Sequence, residues 1–269
     1  MKNLFYRLII YLDTASQKDT NYYIALYIAN HFYRVANMRI NELAQACFVS
    51  PATISRFCRA LGYENFAHMK QECRELHPYD IRFTNLINIP LDLMREEPQK
   101  ATKEYVDQVI DYLSYLPDLL DWDVVDDVLK LIHDSPHVTF FGTEFSQSVA
   151  LHFQTDLLML EKYTTAYVDS ERQLECAKKL TKESVAIIIS VNGFFVNSAH
   201  RILQYIKKSG CQVVLMTCNQ DLVSKIPINY QILLGQSKNR KTGKHTLLTA
   251  VELMTLRYYC LYYPQPREL

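Results

Sequence analysis

Apolar residues recur at helical spacing through the first third of the chain and predict five helices. Two of them are short and close together, INELAQACF at residues 40–48 and PATISRFCRAL at residues 51–61. In the second, apolar side chains three and four residues apart form one stripe, which is typical of a helix with one buried face. That stripe consists of Ile54, Phe57, Cys58 and Leu61. The other three predicted helices span residues 3–13, 20–35 and 66–76.

Local signals predict where the helix at residues 51–61 begins and ends. The hydroxyl of Ser50 is expected to cap its first turn, where Pro51 fits because its missing N–H would be unpaired there anyway. Gly62 is expected to follow it in the left-handed conformation, which glycine adopts at little cost. Phe48 stands in the turn between the two helices, where a left-handed backbone would cost a non-glycine residue about 1 kcal/mol or more.

The face of this helix opposite the apolar stripe carries small, hydroxylated and cationic residues. Such a surface suits DNA, since small residues let a helix enter the major groove while Ser, Thr and Arg bind base edges or phosphates. The alternative is a helical hairpin in an ordinary bundle, with a solvated polar face. The predicted DNA-binding residues are Ser50, Pro51, Ala52, Thr53, Ser55, Arg56 and Arg59.

From residue 137 onward, short apolar runs rich in β-branched residues alternate with helical patterns. The runs lie at residues 137–142, 164–168, 184–190, 212–217 and 230–235. In the same half, helices are predicted at residues 101–116, 122–133, 146–162, 170–180, 197–209 and 247–263. This alternation predicts a five-stranded parallel sheet flanked by helices. The final helix is apolar nearly all round, which favours burial either in the core or at a subunit interface.

A proline-containing segment without helical periodicity separates the two halves of the chain. Prolines recur at Pro78, Pro90 and Pro98, and the residues around them lack the periodicity of a long helix, which indicates a domain boundary. We therefore predict two domains joined by a linker. They are an all-α helix-turn-helix bundle at residues 1–77, a linker at residues 78–100 and an α/β domain at residues 101–269.

Composition limits the classes of partner. The formal net charge of the 269 residues is zero, so DNA affinity has to come from a local patch. Residues 49–62 supply one, because they contain Arg56 and Arg59 and no acidic residue. The seven cysteines form no Cys-x-x-Cys pair, which favours reduced thiols and a cytoplasmic location. We expect no metal, no cofactor and no membrane segment, since the histidines lack ligand spacing and charged residues interrupt the apolar runs.

The run INELAQACFVSPATISRFCRALGYENFAHMKQE resembles the N-terminal domain of RpiR-type bacterial transcription regulators. The likeness continues past the hairpin, through Gly62 and Tyr63, into the next helix. In that family the hairpin belongs to a small helical bundle that binds DNA. The resemblance therefore implies that the segment from Ser50 to Arg59 reads the bases.

The second half, from about Val124 to the C-terminus, resembles a SIS (sugar isomerase) domain, a phosphosugar-binding fold that follows the DNA-binding domain in RpiR-type regulators. After the first strand that family tends to show Gly-x-Gly-x-Ser, and this chain has Gly-Thr-Glu-Phe-Ser at residues 142–146. After the third strand it shows Ser-x-Ser-Gly-x-Thr, and this chain has Ser-Val-Asn-Gly-Phe-Phe at residues 190–195. The effector-binding residues that the resemblance implies are Gly142, Thr143, Glu144, Ser146, Ser190, Asn192, Gly193 and Thr217.

Two residues depart from the family pattern. Glu144 places a carboxylate where the family has glycine, and Phe195 replaces a threonine whose hydroxyl would donate to phosphate. Both changes disfavour a phosphate monoester, through charge repulsion and the loss of a hydrogen bond. Gly142 and Gly193 could also serve backbone geometry alone in ordinary strand-to-helix turns.

The expected function is a DNA-binding transcriptional regulator, of carbohydrate metabolism, that binds an inverted-repeat operator as a homodimer or homotetramer. Its SIS-like domain is expected to dimerise and to bind a sugar-like effector. Two alternatives stay open. One is a phosphosugar isomerase, for which Glu144 and His200 are the available general bases, and the other is a regulator whose second domain serves only for dimerisation.

Overall fold

The chain forms two units, Met1–Arg82 and Phe83–Leu269. The computed structural model describes residues 4–75, 89–235 and 243–263. The part of the predicted linker at residues 78–88 lies outside the described residues. The predicted domain bounds stay a prediction.

The described part of the first unit is a bundle of short helices around one core. Its helices are α1 (Leu4–Thr14), α2 (Thr20–Asn30), α3 (Phe32–Val35), α4 (Ile40–Ala46), α5 (Pro51–Ala60) and α6 (Phe66–Glu75). The largest core side chains include Leu4, Leu8, Ile24, Ile28, Leu43, Ile54, Phe57 and Met69. The side chains of Ile54 and Phe57 are fully buried, so the apolar stripe of α5 faces this core as predicted.

The prediction of a single helix at residues 20–35 is wrong at one point, His31. This residue leaves the helical region, with φ −128° and ψ 29°, and separates α2 from α3. Its ring stacks on Tyr27 with 4.3 Å between centroids, and its Nδ1 atom lies 3.0 Å from the carbonyl oxygen of Tyr27. The imidazole thus contacts the carbonyl group of Tyr27 at the end of α2, where the pattern of helical hydrogen bonds stops.

Among the described residues of the second unit, four helices precede the sheet. They are α7 (Leu91–Glu96), α8 (Pro98–Ser114), α9 (Leu116–Leu119) and α10 (Trp122–Asp134). Within the predicted linker, residues 91–96 and 98–100 are therefore helical, and α7 packs against α8. Pro98 occupies the first turn of α8, where proline begins a helix instead of interrupting one.

A five-stranded parallel sheet forms the centre of the second unit, which confirms the predicted fold class. The strands are β1 (His137–Gly142), β2 (Thr165–Ala166), β3 (Ser184–Ile189), β4 (Gln212–Thr217) and β5 (Tyr230–Leu233). Their order is β2-β1-β3-β4-β5, and every neighbouring pair is parallel. All six residues of β3 are buried, as expected for a strand covered on both faces.

Helices cover both faces of this sheet. Those that follow β1 are α11 (Phe145–Met159), α12 (Ser170–Lys179), α13 (Phe194–Ser198), α14 (His200–Ser209) and α15 (Gly243–Tyr262). One core cluster joins α10, α11 and α15 to the face that bears Phe140 and Ile187. A second joins α12, α13 and α14 to the face that bears Phe141 and Ile188. Adjacent residues of a strand thus pack in different clusters, because successive side chains of a strand point to opposite faces of the sheet.

The last helix differs from its prediction in extent and in exposure. It begins at Gly243, four residues before the predicted start. One face lies in the core through Leu247, Val251 and Met254. The opposite face leaves Leu256 63% exposed, so only part of the predicted burial occurs within the chain.

Other features bear on the class of protein. All seven cysteines are free thiols. Within the described ranges, no group of three or more His, Cys, Asp or Glu side chains is placed to hold a metal ion. Of the helices that the structure describes, none is long and apolar enough to cross a membrane.

Candidate DNA-binding surface and effector site

The turn between α4 and α5 is tight and fixed by backbone hydrogen bonds. The N–H of Phe48 donates to the carbonyl of Gln45 at 3.1 Å, and the N–H of Val49 donates to the carbonyl of Ala44 at 2.9 Å. Phe48 has φ 55°, so a phenylalanine holds the left-handed backbone at the position where such turns favour glycine. Val49 packs against the core, whereas Phe48 is 96% exposed.

The predicted caps of α5 are both confirmed. Ser50 is extended, with φ −79° and ψ 154°, and its hydroxyl accepts a hydrogen bond from the N–H of Thr53 at 3.2 Å. Pro51 occupies the first turn. After the helix, Gly62 adopts φ 81°. The start of α5 is therefore held in one geometry, as a surface that binds a rigid partner requires.

A short chain of polar contacts runs along the outer side of α5. The hydroxyls of Ser50 and Thr53 lie 3.0 Å apart, and Nη2 of Arg56 donates to the Thr53 hydroxyl at 3.2 Å. Thr53 accepts from one of the five N–H donors that a guanidinium carries. The contact points the guanidinium of Arg56 toward the first turn of α5 and leaves it able to bind a base edge or a phosphate.

The seven predicted DNA-binding residues lie together on the open side of α5. Ser50, Pro51, Ala52, Arg56 and Arg59 are exposed. Thr53 and Ser55 are partly exposed. The structure thus places every one of them away from the core, while their contact with DNA stays a prediction.

The loops after β1 and β3 meet at the point where the strand order reverses. Strand β1 lies between β2 and β3, so the chain leaves it toward β2 and returns on its other side as β3. Gly142, the last residue of β1, is paired with Ile189, the last residue of β3. Both loops therefore start side by side at the carboxyl edge of the sheet, where such folds bind ligands.

In the first loop, Glu144 holds a backbone conformation that suits glycine. Its φ is 52° and its ψ is −127°, a combination that strains a residue with a Cβ atom by about 1 kcal/mol or more. Its carbonyl accepts hydrogen bonds from the N–H groups of Gln147 and Ser148 at 3.0 Å, which starts α11. Thr143 and Ser146 flank it and are partly exposed. A glutamate thus holds a conformation that suits glycine, at a position where the family motif has glycine.

Two of the predicted effector-binding hydroxyls are engaged within the protein. The Thr217 hydroxyl donates to the carbonyl of Ser190 at 2.8 Å and accepts from the N–H of Asn219 at 3.0 Å. The Ser190 hydroxyl is buried and accepts from the N–H of Val196 at 3.4 Å. Both groups therefore fasten the second loop to β4 and α13. Gly193 has φ 84° in this loop, so a backbone requirement explains its identity.

The side chain of Phe195 lies in the core and not at the mouth of the site. It is 2% exposed and belongs to the cluster with Phe141 and Leu222. The side chain of Phe194 is 52% exposed, and Asn192 is exposed as well. Phe195 offers no hydroxyl, as the sequence indicates, but the phenyl ring fills the space beneath the loop instead of lining a pocket.

Two polar residues beside these loops were not among the predicted site residues. The amide of Gln147 is fully buried, and neither of its polar atoms has a hydrogen-bond partner among the described residues. A Cβ atom on Gly142 would lie 3.1 Å from Oε1 of Gln147, so the amide abuts the end of β1. The spacing in the sequence indicates this burial, because Gln147 lies on the same inward face of α11 as Ala150 and Phe153.

Lys244, at the start of α15, is the second of these residues. Its Nζ atom lies 5.3 Å from the centroid of the Phe145 ring, a cation–π contact beside the first loop. The start of α15 is tightly packed there, since a Cβ atom on Gly243 would lie 2.8 Å from Sγ of Cys218. Burial raises the pKa of Cys218 to about 11, so this thiol stays neutral. Lys244 and Phe145 are about a hundred positions apart, so no local sequence pattern predicts their contact.

Comparison with known proteins agrees with both halves of the architecture. Residues 11–75 match the family described as the helix-turn-helix domain, rpiR family. The HTH-type transcriptional regulator HexR of Pseudomonas aeruginosa is 26% identical over 193 residues, which cover 72% of this chain and 66% of HexR.

Two solved structures share the fold. The NanR protein of Vibrio vulnificus, complexed with ManNAc-6P, superimposes with a TM-score of 0.53 and 17% identity, covering 97% of this chain and 94% of NanR. The sugar isomerase domain of an RpiR transcription factor from Sphaerobacter thermophilus gives a TM-score of 0.51 and 15% identity, covering 61% of this chain and 92% of that domain.

Proposed function

Because the chain is a transcription regulator of the RpiR type, with an rpiR-family helix-turn-helix domain followed by a SIS domain, we propose that it binds an inverted-repeat operator as a homodimer or homotetramer. The segment from Ser50 to Arg59 enters the major groove. The observation that carries this proposal is the exposed Ser50–Thr53–Arg56 chain of contacts on a capped helix. We place this activity in the cytoplasm.

Four exposed residues of α5 have roles that their chemistry suits. Pro51 and Ala52 are small enough to let the start of the helix approach base edges. Arg56 can bind O6 and N7 of a guanine with two hydrogen bonds. Arg59 is also exposed, about one turn further along, and is suited to a phosphate of the groove wall. No acidic side chain between residues 49 and 62 opposes the DNA charge.

We further propose that the SIS domain dimerises through the outer face of α15. A groove of about 450 Å³ lies between α11 and α15. Its apolar lining includes Met159, Leu256 and Tyr259, and all three are exposed. A two-fold axis through this groove would bury the same apolar patch on both subunits, as isologous contacts do. Such a dimer presents two copies of α5 to DNA. We therefore expect two half-sites whose centres lie about one helical turn of DNA apart, or a multiple of that distance.

DNA selected by the purified protein tests symmetry and assembly together. We expect an inverted repeat with two protected half-sites, bound by an even number of subunits. Leu256→Glu should replace an apolar contact by a further carboxylate beside Asp156 and Glu252 of the groove. We expect it to shift the protein toward monomers in sedimentation analysis, with weaker operator binding. Ile110→Glu is the matched control, because Ile110 is 59% exposed on α8 and outside this groove. A single unrepeated half-site bound by a monomer would contradict the proposal.

For the effector, we propose a sugar-like molecule that is less anionic or larger than a common hexose phosphate. The dipole of the 15-residue helix α11 favours an anion near its start, although the N–H groups of Ser146, Gln147 and Ser148 already donate to backbone carbonyls. The carboxylate of Glu144 at this start opposes the same anion. NanR, whose fold this chain shares, is complexed with ManNAc-6P, which supports a sugar derivative as the ligand class. A regulator whose SIS domain only dimerises remains the competing proposal.

Glu144→Gly probes this site in two ways. Relief of the backbone strain is expected to stabilise the protein by about 1 kcal/mol in urea unfolding. Removal of the carboxylate is expected to tighten binding of hexose and amino-sugar phosphates, which the parent protein binds weakly or not at all in calorimetric titration. A micromolar phosphosugar that already binds the parent protein and alters its operator affinity would contradict the proposed effector class.

We propose no catalytic activity for the SIS domain. Isomerisation needs a general base within reach of the substrate. Phe194 stands where, by resemblance, the isomerases often carry glutamate, and its half-exposed phenyl ring accepts no proton.

A further inference from the structure

We propose that Phe48 is a further DNA-contacting residue, whose ring packs against thymine methyl groups and deoxyribose in the major groove beside α5. This inference rests on the proposed function of the first unit. Phe48 lies two residues before Ser50, the cap of α5. Helix-turn-helix proteins insert the first residues of this helix between the groove walls, so the turn that carries Phe48 approaches the DNA with them.

The exposure of Phe48 is exceptional for its chemistry. At 96%, it is the most exposed large apolar side chain among the described residues. In the isolated protein the ring therefore adds nothing to the core and leaves its apolar surface in water. Burial of such a surface is favourable by about 25 cal/mol per Å², so a partner that covers the ring gains affinity.

The backbone of Phe48 is costly as well. A phenylalanine with φ 55° is strained relative to glycine, which this kind of turn favours. The flanking hydrogen bonds of Phe48 to Gln45 and of Val49 to Ala44 fix the turn. The direction of the Cα–Cβ bond is therefore set before any partner arrives, and little backbone ordering remains to oppose binding.

The neighbours of Phe48 favour DNA as the partner. Ser50, Pro51 and Ala52 follow it on the open surface, all small and exposed. Residues 49–62 include two arginines and no acid, so the adjacent surface is cationic and attracts a polyanion. An apolar contact with the thymine methyl is one of the regular ways to read an A·T pair in the major groove.

Phe48→Gly separates this role from a structural one, because its two expected effects have opposite signs. The midpoint of thermal unfolding should stay unchanged or rise, since glycine adopts the turn without strain. Affinity for the selected operator should fall about tenfold, which corresponds to partial burial of one phenyl ring. The dependence of affinity on salt should not change, because an apolar contact releases no counterions.

Two comparisons complete the test. Phe48→Tyr keeps an aromatic ring and should retain most of the affinity. Replacing operator thymines one at a time by uracil should identify a position at which the parent protein loses affinity and Phe48→Gly does not. Arg56→Ala serves as the reference for the proposed function, since it should weaken binding whether or not Phe48 touches DNA.

The proposal for Phe48 is overturned if Phe48→Gly binds the operator as the parent does while Arg56→Ala binds weakly. It is equally overturned if Phe48→Gly loses affinity only because the dimer dissociates, since the ring would then contact a second copy of the chain. If neither variant changes binding, the DNA-binding role of α5 fails together with it.

Discussion

Phe195→Thr is expected to lower the free energy of unfolding by about 3–5 kcal/mol, the usual cost of truncating a buried phenylalanine. The ring is 2% exposed within the cluster that joins β1 and β3 to α12, α13 and α14. Its removal leaves a cavity under the second loop, and the new hydroxyl would be buried there. Urea unfolding of the full chain, followed by circular dichroism, measures the loss.

Phe194→Thr is the matched control for this change. The two residues are adjacent and chemically identical, but the Phe194 ring is 52% exposed. We expect its replacement to alter stability by no more than about 0.5 kcal/mol. Equal effects of the two substitutions would show that the loop turns the Phe195 ring outward, contrary to the structure.

The same result bears on how the effector site diverged. Phe195→Thr recreates the threonine of the family motif, yet its side chain replaces a packed ring and the loop loses its support. We therefore expect Phe195→Thr alone to give no tight phosphosugar site. A stable Phe195→Thr protein that binds a phosphosugar at micromolar concentration would mean that residue 195 faces the ligand.

Much of the fold could be predicted because it depends on local patterns. The cap of α5 at Ser50 and the left-handed glycine after the helix follow from residue types at fixed spacing, and both occur. The left-handed turn at Phe48 does not follow from its residue type, since phenylalanine disfavours that conformation. Strand β3 could be predicted because a strand covered on both faces has to be a continuous apolar run. The reversal of strand order between β1 and β3 then brings the two predicted loops together.

What could not be predicted depends on the direction of single side chains, on a local break in a helix and on contacts between distant residues. Two consecutive phenylalanines form no periodic pattern, so the sequence does not show which of the two rings is buried. The start of α13, directly after Gly193, turns the side chain of Phe195 inward. The hydroxyl of Thr217 is engaged by a carbonyl 27 residues away in the chain. The break at His31 is local, but the apolar pattern of residues 20–35 continues across it and gives no sign of it. Sequence motifs thus placed the loops but not the direction of their side chains.

Arg56→Ala is expected to weaken operator binding by about 1–3 kcal/mol, or roughly 5- to 150-fold. The side chain is exposed, so the stability of the first unit should change by no more than about 0.5 kcal/mol. Electrophoretic mobility shift or fluorescence anisotropy with the selected operator measures the loss. Arg34→Ala is the matched control, since Arg34 is an exposed arginine of the same unit outside α5.

The pattern of the loss distinguishes a base contact from a phosphate contact. If Arg56 binds a guanine, Arg56→Ala should lose discrimination at one position of each half-site and bind other sequences as before. If it binds phosphate, affinity should fall evenly for all sequences and the salt slope should decrease by about one.

Thr53→Val adds a third measurement, because the Thr53 hydroxyl accepts a hydrogen bond from the Arg56 guanidinium at 3.2 Å. A base-reading Arg56 requires that orientation, so Thr53→Val should reduce specificity, whereas a phosphate contact tolerates a freer side chain. Unchanged operator binding by Arg56→Ala would remove the outer face of α5 from the DNA interface.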